Sequence, residues 1–366
     1  MIYRLVLSIR HFLYDKGFRK SAEADVPTVC VGNITVGGTG KTPHTEMILK
    51  MLLRSDDWAY SEIAVLSRGY KRKTKGFQKV SREGTAAEFG DEPLQIAKKF
   101  PAVTVAVDKD RVEGCRFLTH PETLQTDKKA RGCADKILPK ADIIVLDDAF
   151  QYRKLRAKVN IVLVDYNRPV HKDRLLPWGH LRDLRSRLRK ADIIIVTKCP
   201  AYLDEWEREK WGRYVGLQDG QTLLFSTMQY KAMQPVFPEA DSRFIYSRRL
   251  VLFSGIARDA QLRCYLSDTY KIVKRFGFHD HHKYSGADIR KILRAVKENS
   301  TACVVTTEKD AQRIVDVKKM PAEIRERLFM IPIEAVFLTK EEETLFSQVL
   351  QEKTGSRSVH ERILHG

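Results

Sequence analysis

Short runs of consecutive apolar residues recur along the first part of the chain, separated by segments with helical spacing or loop composition. Runs of this length without polar alternation are typical of strands that are buried on both faces of a parallel sheet. The alternation of such strands with helices predicts an α/β fold, with a mostly parallel sheet covered by helices on both faces. The predicted strands are 27–31, 63–66, 103–107, 143–146, 161–164 and 193–196.

A second alternating set of apolar runs follows, including 250–253 and 302–306. Between the two sets, the stretch 221–248 holds Pro235, Pro238 and short strand-like runs, which are typical of a linker. The pattern therefore predicts a first domain at 1–220, a linker at 221–248 and a second, smaller α/β domain at 249–366 that ends in a charged tail. The length of 366 residues fits two packed domains.

The first eighteen residues form a separate amphipathic segment. Helical spacing places Arg4, Arg10, His11 and Lys16 mostly off an apolar stripe made of Ile2, Leu5, Val6, Ile9, Phe12 and Leu13. The stripe either packs on the domain or lies in a membrane interface, and the pattern alone leaves both interpretations open. There is no cleavage site of a secretory signal, and no apolar run reaches the roughly 20 residues that span a bilayer.

Composition adds a strong positive charge, formally +18 at pH 7. Such an excess favours phosphate-bearing partners, either nucleic acid or an anionic membrane, although a basic surface without a dedicated partner is the plain alternative. The basic residues are spread along the chain without a zinc pattern or an RNA-recognition motif, so we expect no nucleic-acid partner. The six cysteines form no CxxC pair and are expected to be buried free thiols in a reducing cytosol.

The strongest chemical signal is a glycine-rich loop between the first predicted strand and a helical segment. Backbone N–H groups of such a loop cradle phosphate, while Lys41 serves the terminal phosphates and Thr42 serves Mg²⁺. Thr35 stands where the common pattern has a glycine, so this is a variant of the loop. Its predicted nucleotide-binding residues are Thr35, Val36, Gly37, Gly38, Thr39, Gly40, Lys41 and Thr42.

Carboxylates in two further places fit the same chemistry. Asp147 and Asp148 end a buried strand, where an acidic side chain holds Mg²⁺ beside a phosphate loop; alone, the pair would be a turn or helix cap. Asp91 and Glu92 precede a helical stretch and are either a cap or part of the site. His281 lies beside acidic residues, and such a histidine is a metal ligand, a proton-transfer partner or a surface pair without a function. For a kinase that acts on an alcohol, a carboxylate oriented by an imidazole would activate the hydroxyl.

An ordered set of motifs covers most of the chain. The motifs are Val31 to Pro43, Leu66-Ser67-Arg68-Gly69-Tyr70, Gly90-Asp91-Glu92-Pro93, Asp110-Arg111, Leu146-Asp147-Asp148-Ala149-Phe150-Gln151, Leu175-Leu176-Pro177-Trp178-Gly179-His180-Leu181-Arg182, Asp280-His281-His282 and Thr306-Thr307-Glu308-Lys309-Asp310. This ordered set closely resembles the tetraacyldisaccharide 4'-kinases of lipid A synthesis. One departure is Ala149, where the family often has glycine.

The resemblance implies transfer of the γ-phosphate of ATP to the 4'-hydroxyl of a tetraacylated disaccharide 1-phosphate, giving lipid IVA at the cytoplasmic face of a bacterial inner membrane. It implies two α/β/α domains joined by a two-stranded linker, with ATP and Mg²⁺ as cofactors. Asp91 would be the catalytic base with His281 as its partner, although His282 is an adjacent alternative, and Thr42, Glu92, Asp147 and Asp148 would surround Mg²⁺.

The expected partners are the lipid disaccharide and, through peripheral contact, an anionic membrane; no obligate protein partner is expected. Guanidinium groups bind phosphate through two parallel hydrogen bonds, so arginines are expected to hold the anionic lipid, with surface ion pairs as the alternative. The predicted substrate-binding residues are Arg68, Arg111, Gln151, Arg174 and Arg182.

A P-loop GTPase, or a kinase of a different substrate, is the main alternative function. It shares the loop around Lys41 and the carboxylates at the strand end. Guanine recognition commonly uses Asn or Thr, then Lys, any residue and Asp, and the segment Thr197-Lys198-Cys199-Pro200 lacks the final Asp. The sequence therefore favours an ATP-dependent kinase.

Overall fold

The computed structural model describes residues 2–256, 259–280, 282–317 and 319–355, which form two α/β bodies, each built on its own sheet. The strands are β1 (Thr28–Asn33), β2 (Ile63–Ser67), β3 (Gln78–Lys79), β4 (Thr104–Val107), β5 (Ile143–Asp147), β6 (Val159–Asp165), β7 (Ile193–Thr197), β8 (Thr222–Tyr230), β9 (Gln234–Pro235), β10 (Arg249–Ser254), β11 (Lys271–Gly277), β12 (Cys303–Thr307), β13 (Leu328–Ile331) and β14 (Ile333–Phe337). The helices are α1 (Ile2–Asp15), α2 (Lys41–Arg54), α3 (Ala86–Phe89), α4 (Asp91–Lys99), α5 (Arg111–Thr119), α6 (Glu205–Val215), α7 (Ala260–Ser267), α8 (Gly286–Glu298), α9 (Glu308–Ile314), α10 (Ala322–Arg325) and α11 (Lys340–Thr354).

The first sheet has nine strands in the order β14-β8-β7-β6-β1-β5-β2-β4-β3. All neighbouring pairs are parallel except the two edge pairs, β14 with β8 and β3 with β4. The central strand β1 pairs with β5 on one side and β6 on the other, and the strand order changes direction there. Open α/β sheets bind ligands at the carboxyl ends of their strands at such a point.

Successive residues of the central strands point to opposite faces of this sheet, and both faces are buried. Val29 and Val31 join one apolar cluster with Ile48 of α2, whereas Cys30 joins the cluster on the opposite face. This two-sided burial explains why the strands are continuous apolar runs in the sequence. The predicted fold class, a mostly parallel sheet covered on both faces, is confirmed.

The second sheet has five strands in the order β11-β10-β12-β13-β9, and only β9 runs antiparallel to its neighbour. Its two faces are again both buried. Val251 and Phe253 pack with Ile292 of α8 on one face, and Leu252 packs with Leu266 of α7 on the other. The second body is therefore a smaller version of the same layered architecture.

After β13 the chain returns to the first sheet. The strand β14 pairs with β8, and Phe346 and Leu350 of α11 join the apolar cluster on one face of the first sheet, where α11 contacts β6, β8 and β14. The sequence interpretation assigned 249–366 to the second domain and sought both linker strands within 221–248, whereas 333–354 lie with the first sheet. The pattern concealed this return because α11 buries few apolar side chains among many charged ones.

The helix α1 lies on the surface of the first body. It buries Leu7 and His11, and Leu13 is half-buried, whereas the rest of the predicted stripe, Ile2, Leu5, Val6, Ile9 and Phe12, is more than half exposed. No helix among the described residues is long and apolar enough to cross a membrane. Five of the six cysteines are buried free thiols as expected, but Cys264 is exposed.

Candidate active site

The glycine-rich loop leaves the carboxyl end of β1 and enters α2 at Lys41. Gly37, Gly38 and Gly40 have φ angles of 66°, 63° and 85°, in the left-handed region that favours glycine. The hydroxyl of Thr39 accepts a hydrogen bond of 2.6 Å from the side-chain amide of Asn33. The loop therefore combines the backbone conformation of a phosphate cradle with an internal contact that fixes its shape.

The N–H groups of residues 37–41 donate no hydrogen bond to any group in the described part of the chain. The preceding N–H, that of Val36, donates to the carbonyl of His180 at 2.8 Å. Consecutive unpaired N–H groups at the start of a helix form a site for an anion, and the helix dipole adds to its positive potential. The N–H groups of residues 37–41 thus form one continuous cradle that fits phosphate groups, whereas the N–H of Val36, another predicted nucleotide-binding residue, is engaged by His180.

Two carboxylates end the neighbouring strand β5, at the edge of the sheet where the loop lies. The Nζ of Lys41 is 3.7 Å from Oδ2 of Asp148, and the guanidinium of Arg182 also pairs with Asp148. Burial works to raise the pKa of Asp148, but the charges of Lys41 and Arg182 outweigh it, so the net shift is downward. Asp148 is therefore held as an anion between the two cations.

Asp147 has the opposite electrostatic environment. Its carboxylate is buried and accepts long hydrogen bonds from Ser67 at 3.3 Å and Thr45 at 3.4 Å. Burial, followed by the charges of Glu92 and Asp148, raises the pKa of Asp147 to about 7. A bound cation would offset the electrostatic repulsion among the carboxylates of Asp147, Asp148 and Glu92.

This arrangement fits Mg²⁺ bound together with a nucleotide. No group of three or more His, Cys, Asp or Glu side chains is assembled as a metal site in the ranges that the structure covers. Mg²⁺ in nucleotide sites, however, takes only one or two carboxylates and receives its other ligands from phosphates and water. The buried Asp147, the hydroxyl of Thr42 at the start of α2 and the nearby charge of Glu92 meet that requirement.

The predicted base Asp91 lies in the first turn of α4, where the first body faces the second. Its Oδ2 accepts hydrogen bonds from Arg313, one of them 3.1 Å from Nε, and Glu92 pairs with Lys309. Burial opposes the charge of Lys309, yet Glu92 and Asp91 raise its pKa above the ordinary value. Both carboxylates are thus fixed by cations of α9, and the site lies between the two bodies.

The predicted partner of Asp91, His281, lies outside the described residues. The adjacent His282 places Nε2 at 3.1 Å from Oδ2 of Asp288 and stacks on Phe278 with ring centroids 4.4 Å apart. These contacts tie His282 to the second body. The role of His281 therefore stays a prediction.

The predicted substrate-binding residues differ in where they lie and in how exposed they are. Gln151 donates to the carbonyl of Asn33 at 2.5 Å, and Arg182 joins Asn33 to Asp148, so both lie at the start of the loop. Arg111 is buried, and burial lowers its pKa while Asp148 and Asp147 act in the opposite direction. Arg68 and Arg174 are exposed, and no side-chain hydrogen bond of either occurs in the structure described.

Sequence reasoning missed several contributors to this site. Arg313 contacts Asp91 from 222 positions away, and Lys309 was noted only as part of a motif. Arg168 and Lys198 contact the glycine-rich loop from the ends of β6 and β7. A usable signal was present: each follows a predicted strand closely, and the carboxyl ends of parallel strands meet at the site edge.

The central glycine-rich loop, the helix that follows it and the carboxylates ending the adjacent strand define a P-loop nucleotide-binding protein. A family model described as Tetraacyldisaccharide-1-P 4'-kinase matches residues 1–353. The chain belongs to this family and is therefore an enzyme of the kinase class.

Individual relatives agree over nearly the whole length. The chain is 35% identical to a tetraacyldisaccharide 4'-kinase of Phocaeicola vulgatus, covering 95% of this chain and 92% of the relative. It is 36% identical to one of Parabacteroides distasonis, covering 99% and 95%. A crystal structure of LpxK from Aquifex aeolicus in complex with ATP matches with a TM-score of 0.69 and 26% identity, covering 97% of this chain and 96% of the other.

Proposed function

We propose that the chain transfers the γ-phosphoryl group of ATP to the 4'-hydroxyl of a tetraacyldisaccharide 1-phosphate, forming lipid IVA. The observation that carries this proposal is the cradle of unpaired N–H groups beside Lys41 and the carboxylates of β5. Phosphoryl transfer needs little covalent chemistry from the protein, since positioning and charge stabilisation supply most of the catalysis. The site contains groups for both tasks.

The loop residues 35–42 hold the phosphates, and Lys41 balances the charge on the terminal ones. Thr42 and Asp147, with Asp148 and Glu92 close by, would hold Mg²⁺, which supplies neutralisation of charge on the phosphate oxygens. Arg182 pairs with Asp148 as Lys41 does, so the two cations lie on the same carboxylate. The ion pairs that Lys41 and Arg182 make with Asp148, at the end of β5, support these assignments.

Asp91 is the proposed general base for the acceptor hydroxyl, with His281 as its partner. Arg313 holds the carboxylate of Asp91 from the second body, so the base is oriented only when the two bodies meet. Arg111, Arg182 and Gln151 are the proposed contacts to the lipid headgroup. Arg182 and Gln151 contact Asn33 at the start of the loop, and Arg111 lies within the influence of the charges of Asp147 and Asp148. Arg68 and Arg174, both exposed, remain candidates for the same role.

The helix α1 is the proposed membrane contact, which would place the enzyme peripherally at the cytoplasmic face of the inner membrane. Its inner side is held by polar contacts: His11 is 2.6 Å from Asp183, and Tyr3 donates to the carbonyl of Arg182 at 2.8 Å. Its outer side is apolar and exposed. An amphipathic helix with this arrangement buries the apolar face among acyl chains, while Arg4 and Lys16 meet anionic headgroups.

The direct test is transfer of labelled γ-phosphate from ATP to a purified tetraacyldisaccharide 1-phosphate, with GTP as the competing donor. Label is expected in the lipid with ATP and to a much smaller extent with GTP. Lys41→Ala should remove transfer while the protein stays folded, because Lys41 is needed for phosphate charge and not for packing. Wild-type turnover by a folded Lys41→Ala enzyme would contradict the loop assignment.

The membrane contact is tested with the double variant Leu5→Gln and Ile9→Gln, which changes only exposed side chains. Binding to vesicles that contain anionic lipid should weaken, and activity should fall more on vesicle-embedded substrate than on detergent-dispersed substrate. Ile137→Gln is the matched control, since Ile137 is equally apolar and exposed but lies outside α1. Equal vesicle binding by the double variant and the control would contradict the proposal.

A further inference from the structure

The outward side of the glycine-rich loop is held by side chains that the family motif does not contain. Arg168 donates to the carbonyls of Gly37 at 2.8 Å and Val36 at 3.4 Å. Lys198 donates to the carbonyl of Gly38, and the hydroxyl of Thr197 donates to the carbonyl of Thr39 at 3.0 Å. We call Arg168, Thr197 and Lys198 the loop brace.

The next carbonyl, that of Gly40, is held in the same way from within α2. It accepts a hydrogen bond of 2.7 Å from Nδ1 of His44, whose other ring nitrogen lies 2.8 Å from the hydroxyl of Ser226. Because a carbonyl oxygen can only accept a hydrogen bond, Nδ1 of His44 carries the donated hydrogen. The carbonyls of residues 36–40 are therefore all engaged by side chains.

This pattern determines where the N–H groups of the loop point. In a planar trans peptide the C=O of one residue and the N–H of the next point in opposite directions. Holding the carbonyls of residues 36–40 on the outer side therefore turns the N–H groups of residues 37–41 toward the inside. Those five N–H groups are the ones that remain unpaired in the structure described.

Asp165 organises the charged part of the loop brace. It is buried at the end of β6, 2.9 Å from Nζ of Lys198 and 3.6 Å from the guanidinium of Arg168. A single carboxylate thus brings two cations to adjacent carbonyls and offsets their mutual repulsion. Because β6 and β7 follow β1 in the order of the sheet, their carboxyl ends lie beside the loop.

We propose that Arg168, Thr197 and Lys198, organised by Asp165, are positioning residues that set the phosphate loop in its binding conformation by holding its carbonyls outward. Their effect reaches the nucleotide through the backbone N–H groups. The segment Thr197-Lys198 resembles part of a guanine-recognition motif, but in this chain its side chains donate hydrogen bonds to the carbonyls of the phosphate loop. The proposal rests on the nucleotide half of the proposed function and is independent of the lipid acceptor.

The test compares binding of ADP and AMP by calorimetry in Lys198→Met and Thr197→Val, without lipid. ADP places a second phosphate in the loop, whereas AMP places only one. We expect the Kd for ADP to rise about tenfold in Lys198→Met and by about threefold or more in Thr197→Val, since each loses one carbonyl contact. The Kd for AMP should change by less than about twofold in both variants.

Thr197→Val is the decisive variant because it removes no charge and Thr197 is fully buried, out of reach of a ligand. If Lys198→Met weakens ADP binding and Thr197→Val does not, Lys198 acts directly on phosphate by its charge and the proposal is overturned. Equal losses for ADP and AMP would also overturn it, since they indicate a base or ribose contact.

Controls separate these results from loss of the fold and from loss of the kinase function. Lys274→Met, at an exposed lysine of the second sheet, should bind both nucleotides like the parent protein. Melting temperatures without ligand should show that Lys198→Met is folded. A preparation that binds ADP in the expected pattern but does not phosphorylate the lipid would refute the proposed acceptor and leave the loop brace supported.

Discussion

Among single residues near the site, Gly32 packs closely against Phe150. A Cβ on Gly32 would lie 2.4 Å from Cβ of Phe150, a separation that real structures do not tolerate. Phe150 follows the carboxylate pair of β5 and precedes Gln151, so its displacement moves the site. The absence of a side chain at position 32 thus allows β1 and the segment after β5 to approach.

We therefore expect Gly32→Ala to lower the free energy of unfolding by about 1 to 3 kcal/mol, the usual cost of overpacking. Chemical denaturation measures this loss. Gly212→Ala is the matched control: Gly212 lies within α6, and an added Cβ meets no atom closer than 3.9 Å. The control should gain about 0.5 to 1 kcal/mol from helix propensity, and a comparable loss in both variants would refute the packing argument.

Asp91 is the residue whose removal should separate chemistry from binding. Asp91→Ala is expected to lower turnover by about 10² to 10⁴, the contribution of a positioned acid or base. The affinity for ATP should stay nearly constant, because the loop and Lys41 are on different elements from Asp91. Single-turnover kinetics with calorimetry of nucleotide binding checks both statements, and unchanged turnover would remove Asp91 from catalysis.

How much of the site can be predicted depends on how its residues are distributed in the sequence. The glycine-rich loop, Lys41 and the carboxylates of β5 are contiguous motifs whose spacing carries the chemistry. The contact of Arg313 with Asp91 joins distant positions on two bodies, and neither periodicity nor propensity encodes such a pairing. The strand ends indicate only that Arg168, Thr197 and Lys198 lie near the edge of the site; which loop carbonyl each one contacts has no pattern in the sequence.

Among secondary-structure elements, the helices α4 and α9 form the main polar contact between the two bodies. Lys99 of α4 pairs with Glu46 at 2.5 Å and with Glu308 of α9 at 3.3 Å. Burial, and then the charge of Glu46, raises the pKa of Glu308 to about 7, although Lys99 opposes the shift. One lysine thus faces two acids that it cannot fully compensate.

This imbalance predicts a pH dependence of stability. Since the folded chain binds the Glu308 proton more tightly than the unfolded chain, this group's contribution to stability falls as pH rises from about 4.5 to about 7. Glu308→Gln removes that dependence, so its melting temperature relative to the parent should rise between pH 5 and pH 8. Glu343→Gln, at an exposed acid of α11, should show a constant difference.

A constant difference for Glu308→Gln as well would show that Lys99 compensates both acids fully.

Helix α1 illustrates what the sequence predicted at the scale of elements. Its apolar stripe was correctly placed on one face, but the pattern did not reveal which face is covered. The polar contact of His11 with Asp183 decides this point, and it joins positions 172 residues apart.

At the scale of the whole molecule, the second body is an insertion between two paired strands. Tyr230 at the end of β8 is the ladder partner of Ile333 at the start of β14. The sequence predicted two sets of strands but not this nesting, because the return to the first sheet is carried by one short strand and a charged helix. The first body is consequently complete only when the last described helix is present.

Replacing residues 231–332 with Asn-Gly should therefore leave a folded first body, since this dipeptide forms a tight turn between antiparallel strands. We expect a cooperative melt and ADP binding, but no phosphoryl transfer, because Lys309 and Arg313 are gone. Circular dichroism and calorimetry check these outcomes. As a control, a chain ending at 331 loses Phe346 and Leu350 from the core and should aggregate.

The pairing of Tyr230 with Ile333 also restricts how the two bodies can move. Both covalent connections pass through neighbouring positions of one ribbon, so the second body is tethered at a single pivot. A body tethered in this way swings in an arc and cannot slide along its neighbour. Because Asp91 lies on the first body and Arg313 on the second, a change of angle about this pivot would separate the two side chains and release the carboxylate of the proposed base.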